Sequence, residues 1–135
     1  MINTDFKSYI DKSMITKFLI RRKALHKILI SEFYNNKCSF EPGRYHGVKL
    51  EYFWNSKNDV KDGICTCTPH CFGKGTGHGE KNCKKITVAI FESGSVLITG
   101  GIRFEQIEEA YNYITFIINK HKTEIQKSDL NLLLL

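Results

Sequence analysis

The sequence predicts an α+β fold: an antiparallel curved sheet with two helices on one face, in the order strand, helix, four strands, helix. Three observations carry this. The stretch KKITVAIFESGSVLITGG, Lys84 to Gly101, reads as two strands joined by a tight turn at Glu92-Ser93-Gly94-Ser95. Gly94 supplies the positive φ that such turns need. Two further stretches, Arg21 to Tyr34 and Phe104 to His121, place apolar residues on single stripes at helical spacing.

The hairpin has two unlike faces, because successive strand residues point to opposite sides. Ile86, Val88, Ile90, Val96 and Ile98 make an aliphatic face that calls for a helical cover. Thr87, Ala89, Phe91, Leu97 and Thr99 make the other, which is neither a solvated polar face nor an ordinary core. It reads as a docking surface, with a β-sandwich core as the alternative. If both helices cover the aliphatic side, the second face is left as an open saddle.

The remaining elements follow in chain order. Ile2, Thr4 and Phe6 alternate and predict a first strand within Met1 to Lys7. Tyr9 to Ile20 is ambiguous and reads as an extended crossover. In the first helix Leu25, Ile28, Leu29 and Phe33 form the stripe, and Asn35-Asn36 ends it. A short strand from Lys37 to Glu41 leads to a turn, Pro42 to Gly47, with Tyr45 at its tip, and then to a strand from Val48 to Asn55. Ser56 to Cys83 is a loop longer than ordinary connections. The second helix carries Ile107, Ala110, Tyr111, Ile114, Ile117 and Ile118 inward. Its acidic start at Glu105, Glu108 and Glu109 and its basic end at Lys120 and Lys122 suit the helix dipole.

Composition bounds the function. A chain of 135 residues has room for one domain with a modest core. Its formal charge of +6, from 20 basic and 14 acidic residues, favours a polyanionic partner. No stretch reads as a signal peptide, and none reaches the roughly 20 apolar residues of a membrane span. An intracellular location, without membrane attachment, is expected. No nucleophile context surrounds Cys71 or Cys83, and Gly73 to Gly77 lacks the spacing of a nucleotide-binding loop. Enzyme activity is therefore not expected.

Four of the five cysteines fall in the long loop, as Cys65, Cys67, Cys71 and Cys83, spaced Cys-x-Cys-x3-Cys-x11-Cys. An odd count without a secretory signal points to a metal rather than to disulfides. Four thiolates can close a tetrahedral zinc site, with His70 or His78 as alternative ligands. A flexible glycine-rich loop with reduced cysteines is the competing reading. Cys38, in a predicted strand, is expected to pack as a small apolar residue.

SFEPGRYHGV (Ser39 to Val48), ITVAIFESGSVLITGG (Ile86 to Gly101) and the acid-started helix after them, in that order and spacing, resemble one repeat of the TATA-box-binding protein family. The likeness is to the second, C-terminal repeat. The Cys/Gly-rich insertion beside Trp54-Asn55 looks like the divergent TATA-binding-like proteins of large DNA viruses. The resemblance implies a repeat over residues 1–125 with an insertion at 56–83, followed by a tail at 126–135. It implies a transcription-initiation factor that binds and bends double-stranded DNA through the minor groove, at a nuclear or viral-factory site of transcription.

Under that resemblance Tyr45 and Phe91 are the wedge pair that opens base steps. Thr87, Ala89, Leu97 and Thr99 lie against sugars and base edges, and Arg44 and Lys49 meet phosphates. A factor resembling transcription factor IIB and an RNA polymerase are the implied partners. A single repeat implies a homodimer or a partner repeat, joined through the first strand. Four features depart from the family pattern. Only one repeat is present, His46 replaces a proline, Ser95 replaces a basic residue, and Glu51 lies near where an arginine would face phosphate. TATA-like affinity and specificity are thus not implied. A protein-interaction module of the same fold that no longer binds DNA is the second expectation.

Overall fold

The computed structural model describes residues 10–67, 71 and 83–127, with side chains from residue 12 onward. Its elements are β1 (Ile10–Ile15), β2 (Leu19–Ile20), α1 (Arg22–Ile30), β3 (Lys37–Ser39), β4 (Val48–Trp54), β5 (Lys84–Ile90), β6 (Ser95–Gly101), α2 (Phe104–Lys120), α3 (Lys122–Ile125) and β7 (Gln126–Lys127). The fold is α+β. Five antiparallel strands form the sheet in the order β1-β6-β5-β4-β3, and β2 pairs with β7 in a second, two-stranded sheet.

The central hairpin forms as its residues dictate. Thr87 pairs with Thr99, Val88 with Ile98, Ala89 with Leu97 and Ile90 with Val96. The turn closes through Phe91 N–H to Ser95 C=O and Gly94 N–H to Phe91 C=O, both 2.9 Å. Gly94 has φ 93°, and a Cβ there would lie 2.2 Å from Thr16 Oγ1 and 2.9 Å from the Phe18 carbonyl oxygen. The turn is thus both left-handed and packed against the chain leaving β1, so glycine is required twice over.

Both helices lie on the aliphatic face. Leu25 and Leu29 of α1 and Ile107, Ala110, Ile114, Ile117 and Ile118 of α2 join Val48, Leu50, Tyr52, Ile86, Val88, Ile90, Val96 and Ile98 in one buried cluster. At the start of α2 the buried Gln106 Oε1 accepts from the Ile102 and Arg103 N–H groups at 2.9 and 3.2 Å, satisfying two orphan donors. Tyr52 O–H donates to Glu109 Oε2 at 2.6 Å, which ties β4 to α2.

The structure moves four expectations. The first strand of the sheet is Ile10–Ile15, in the stretch read as a crossover; Ile2 to Lys7 lies outside the described residues. The first helix stops at Ile30, not Tyr34, and Phe33 is 80 % exposed rather than part of the stripe. Ser31 Oγ donates to the Ile28 carbonyl at 2.6 Å, and Asn35 takes φ 52°, turning the chain away. The tail expected from residue 126 begins inside β7, where Gln126 and Lys127 pair with Ile20 and Leu19. The strand read as Lys37 to Glu41 ends at Ser39, where Glu41 opens the next turn by accepting from Arg44 and Tyr45 N–H.

A candidate interaction face bounded by an aromatic pair and a cysteine centre

Opposite the helices the sheet presents Ser13 and Ile15 of β1, Leu97 and Thr99 of β6, Thr87 and Ala89 of β5, Lys49 and Glu51 of β4, and Lys37 of β3. No second sheet covers this face among the described residues, so it is not a sandwich core. Ile15 is 69 % exposed and Leu97 40 %. Thr87 and Thr99 are half-buried. Ala89 is buried between its register partners Lys49 and Leu97.

One end of the face carries the expected ring pair. Tyr45 and Phe91 are brought together with centroids 5.8 Å apart and planes tilted by 57°, and Tyr45 is 40 % exposed. The Lys49 ammonium lies 5.4 Å from the Tyr45 ring centre. Two residues not singled out in the sequence hold this pair. A Cβ on Gly47 would meet both rings at 3.0 Å, so only glycine lets the chain pass beneath them unshifted. Arg22 of α1 donates to the His46 carbonyl at 2.6 Å and lies 3.8 Å from the Glu92 carboxylate, tying together the two turns that carry the rings. Lys127 donates to the same carboxylate at 2.9 Å and, with Arg22, holds Glu92 below its ordinary carboxylate pKa. Arg44 is exposed and lies 3.5 Å from Glu41.

The centre of the face is polar and charged. Glu51 lies in the same row as Thr87 and Thr99, with Lys37 at 3.1 Å and Lys85 at 3.6 Å. Three lysines and one carboxylate leave the face positive, and exposed pairs of this kind rearrange at little cost.

At the other end of β4 the four loop cysteines converge. The sulfur atoms of Cys65, Cys67, Cys71 and Cys83 all lie within 4.8 Å of one another. Cys67–Cys71 and Cys65–Cys71 are 3.4 and 3.9 Å apart. These are not disulfide lengths. Tetrahedral coordination at a metal–sulfur distance of about 2.3 Å places ligand sulfurs about 3.8 Å apart. The four cysteines therefore fit a metal ion, and the ring of four saturates a tetrahedral site. Cys65 and Cys83 are buried, and Asn55 Nδ2 approaches Cys67 Sγ at 4.0 Å. Burial first, then the Cys71 and Cys65 sulfurs, push the Cys67 thiol above its ordinary pKa. Thiols so crowded resist becoming thiolates together, and a bound cation is what removes that resistance.

His70 and His78 lie outside the described residues. Cys38 is not among the clustered cysteines; it packs against the helix-side core, and burial, then Glu51, push its thiol up to about 12. The loop is also fastened away from the sulfurs. Gly63 C=O accepts from Phe53 N–H at 2.9 Å, Asn36 Nδ2 donates to Asp62 C=O at 2.8 Å, and Lys61 donates to Glu109 at 3.1 Å. Tyr113 O–H donates to Asn36 Oδ1. Gly63, at φ 77°, lies so close to the Tyr52 ring that a Cβ would meet it at 2.5 Å.

No helix among the described residues is long and apolar enough to cross a membrane. Comparison with protein-family models, with curated proteins and with solved structures finds no match to this chain.

Proposed function

We propose that this chain is a duplex-DNA-binding module of the TATA-binding kind, which lays its open sheet face along the minor groove and bends the duplex with Tyr45 and Phe91. The observation that carries the reading is the ring pair at the end of a positive, Thr- and Leu-lined sheet face that no helix or second sheet covers among the described residues. Such a face suits a groove that offers few distinguishing donors and acceptors. Thr87, Thr99, Ala89 and Leu97 would line the groove, and Lys49, with Lys37 and Lys85, would meet phosphates. Arg44 would serve the same end only by leaving Glu41. Tyr45 is 40 % exposed, and as an inserting ring it would need water or a hydrogen-bond partner at its hydroxyl.

Zinc is the metal that four thiolates favour, held by Cys65, Cys67, Cys71 and Cys83. With no position left for water or substrate, it holds the loop in shape and does no chemistry, in keeping with a non-enzymatic role. The edge strand β1, with Ile15 exposed, is the surface through which a second copy or a partner repeat would extend the sheet. A factor resembling transcription factor IIB and an RNA polymerase would be recruited to the bent duplex inside the cell, in the nucleus or a viral factory.

The test is fluorescence transfer across an end-labelled duplex, with affinity followed against salt. The parent chain is expected to bend DNA and to lose affinity steeply as salt rises. The Tyr45→Ala/Phe91→Ala double variant is expected to bind weakly without bending. Gly47→Ala is expected to behave in the same direction, because its methyl displaces both rings. A double variant that bends as well as the parent sinks the wedge assignment, and a chain that binds no duplex sinks the reading.

One set of observations favours a protein-interaction module instead. The Glu51 carboxylate faces outward in mid-sheet. On the helix side, Phe116 is exposed beside a cleft of about 550 Å³ lined by Trp54, Glu105, Glu108 and Tyr113. Protein docking through these groups would be far less sensitive to salt than binding through several phosphates.

A further inference from the structure

β4 has one residue that breaks the rule of its own face. Lys49, Glu51 and Phe53 all point away from the helices, since Val48, Leu50, Tyr52 and Trp54 between them are buried in the helix-side core. Lys49 is exposed and Glu51 half-buried, yet Phe53 is only 3 % exposed. Its cover is the cysteine centre: Phe53, Cys65 and Cys83 form a separate buried cluster, with Cys67 and Cys71 packed against it. Cys83 directly precedes β5, whose Lys85 is the register partner of Phe53. The thiol centre therefore stands on the open side of the sheet. It is a small third layer over one end of the face, as the Tyr45/Phe91 pair marks the other. From Phe91 to Lys85 is about 20 Å along β5, at about 3.4 Å per residue.

We infer that the four-cysteine centre is the end wall of the open face, so that metal loading sets the shape of the Phe53–Lys85 end and, through it, the affinity of the face for its ligand. The reasoning is local. Among the described residues, the part of the loop that covers Phe53 is the set of converging cysteines, with Thr66 Oγ1 donating to Asn58 Oδ1 at 2.6 Å beside them. The contacts of Lys61, Asp62 and Gly63 fasten only the part of it that precedes Cys65. Without metal the sulfurs lose their common partner, and ligand binding in such sites is coupled to folding of the segment that supplies the ligands. Phe53 then loses its cover, and an apolar ring exposed there would be expected to rearrange together with the segment around it. Lys85 is one strand away, and Glu51, which it pairs with, is two residues along. The disturbance thus reaches the centre of the face but not the ring pair about 20 Å off. That the ligand is duplex DNA rests on the function proposed above; that loading shapes the face does not.

The experiment compares the zinc-loaded chain, the same chain after chelation, and the Cys67→Ser/Cys71→Ser variant kept in zinc. Amide NMR shifts and duplex affinity are both read. Loading is expected to move the signals of Phe53, Lys85, Thr87 and Thr99 while leaving those of Phe91 and of α1 in place. The stripped chain and the double variant are expected to bind duplex at least tenfold more weakly than the loaded chain. Equal shifts across the face in loaded and stripped chains, or equal duplex affinity, overturn the inference. Loss of all dispersed signals on chelation, α1 included, also overturns it, because the centre would then support the whole fold and not one end of one face. If the face signals move on loading but no duplex binds, the coupling stands and the DNA reading fails.

Discussion

The two faces of the sheet are built from the same strands by alternate residues, and they obey different rules. Ile98 is fully buried under α2, whereas Leu97, its neighbour in sequence, is 40 % exposed on the open side. On β4, Tyr52 is enclosed with its hydroxyl on Glu109, while the adjacent Glu51 holds two lysines loosely at the surface. On the helix side a residue is fixed by what touches it. On the open side Leu97, Thr87 and Thr99 keep part of their surface in water and are less constrained by packing, although Ala89 and Phe53 are buried there too. Under the proposed function, stability and binding are separated largely by face along each strand, and substitutions at Ile98 and Leu97 should report mainly on one or the other.

The sharpest contrast is Ile98→Ala against Leu97→Ala. The first removes a fully buried side chain and is expected to cost about 2–5 kcal/mol of unfolding free energy. The second is expected to cost clearly less, about 1–2 kcal/mol, because 40 % of Leu97 stays exposed in the folded chain, and to weaken duplex binding as well. Urea unfolding followed by circular dichroism measures both. Equal losses would mean that the open face is covered in solution. Next comes Tyr52→Phe, which strips one oxygen of the largely buried Glu109 carboxylate of its donor, leaving Lys61 on the other. A loss of about 2 kcal/mol is expected for a hydrogen bond to a charged group. Glu51→Gln, one residue away, should change stability by less than about 1 kcal/mol, because both lysine partners of this half-buried carboxylate are about half exposed. It should raise duplex affinity by removing a carboxylate from the face. Unchanged affinity would argue that no polyanion lies there.

The smallest effect concerns the thiol on the covered side. Burial raises the Cys38 thiol to about 12 from a model-compound value of 9.0, so the folded chain holds a proton that the unfolded chain releases. Its contribution favours folding below about pH 9 and is progressively lost as the pH climbs from there toward 12. At pH 8 an alkylating reagent should therefore leave Cys38 untouched in the folded chain and label it once the chain is unfolded in urea. Rapid labelling of Cys38 in the folded chain would contradict its placement.

Much of this contrast was legible in the sequence where period-two alternation is clean. Val88 and Ile98 against Ala89 and Leu97 needed only the β-branched pattern and Gly94 between them. The stripe of α2 needed only its isoleucines. β1 was not legible because Lys12 takes a helix-side position and lays its ammonium 3.9 Å from the Tyr111 ring centre, which hides the alternation. Phe33 was misplaced because a serine hydroxyl, not a glycine or proline, halts the helix. The cysteine set could be read from spacing and composition, but its location could not. The signal was present in Tyr52-Phe53-Trp54: three large aromatics in a row mean that both faces of that strand end are covered. Arg22 and Gly47 matter only through the turns they hold together, which no local pattern reveals.

The insertion leaves the sheet after Trp54 and re-enters at Lys84, and these two residues are direct register partners. Its two ends are therefore as close as the ends of a two-residue hairpin. A loop of about thirty residues closes between them at an entropic cost that grows only with the logarithm of its length, and each doubling adds about 0.6 kcal/mol. The β4–β5 hairpin is consequently a socket. The chain between Asn55 and Cys83 can therefore change length at little entropic cost, provided that Gly63 still meets Tyr52 and Phe53 and that the cysteines still cover Phe53.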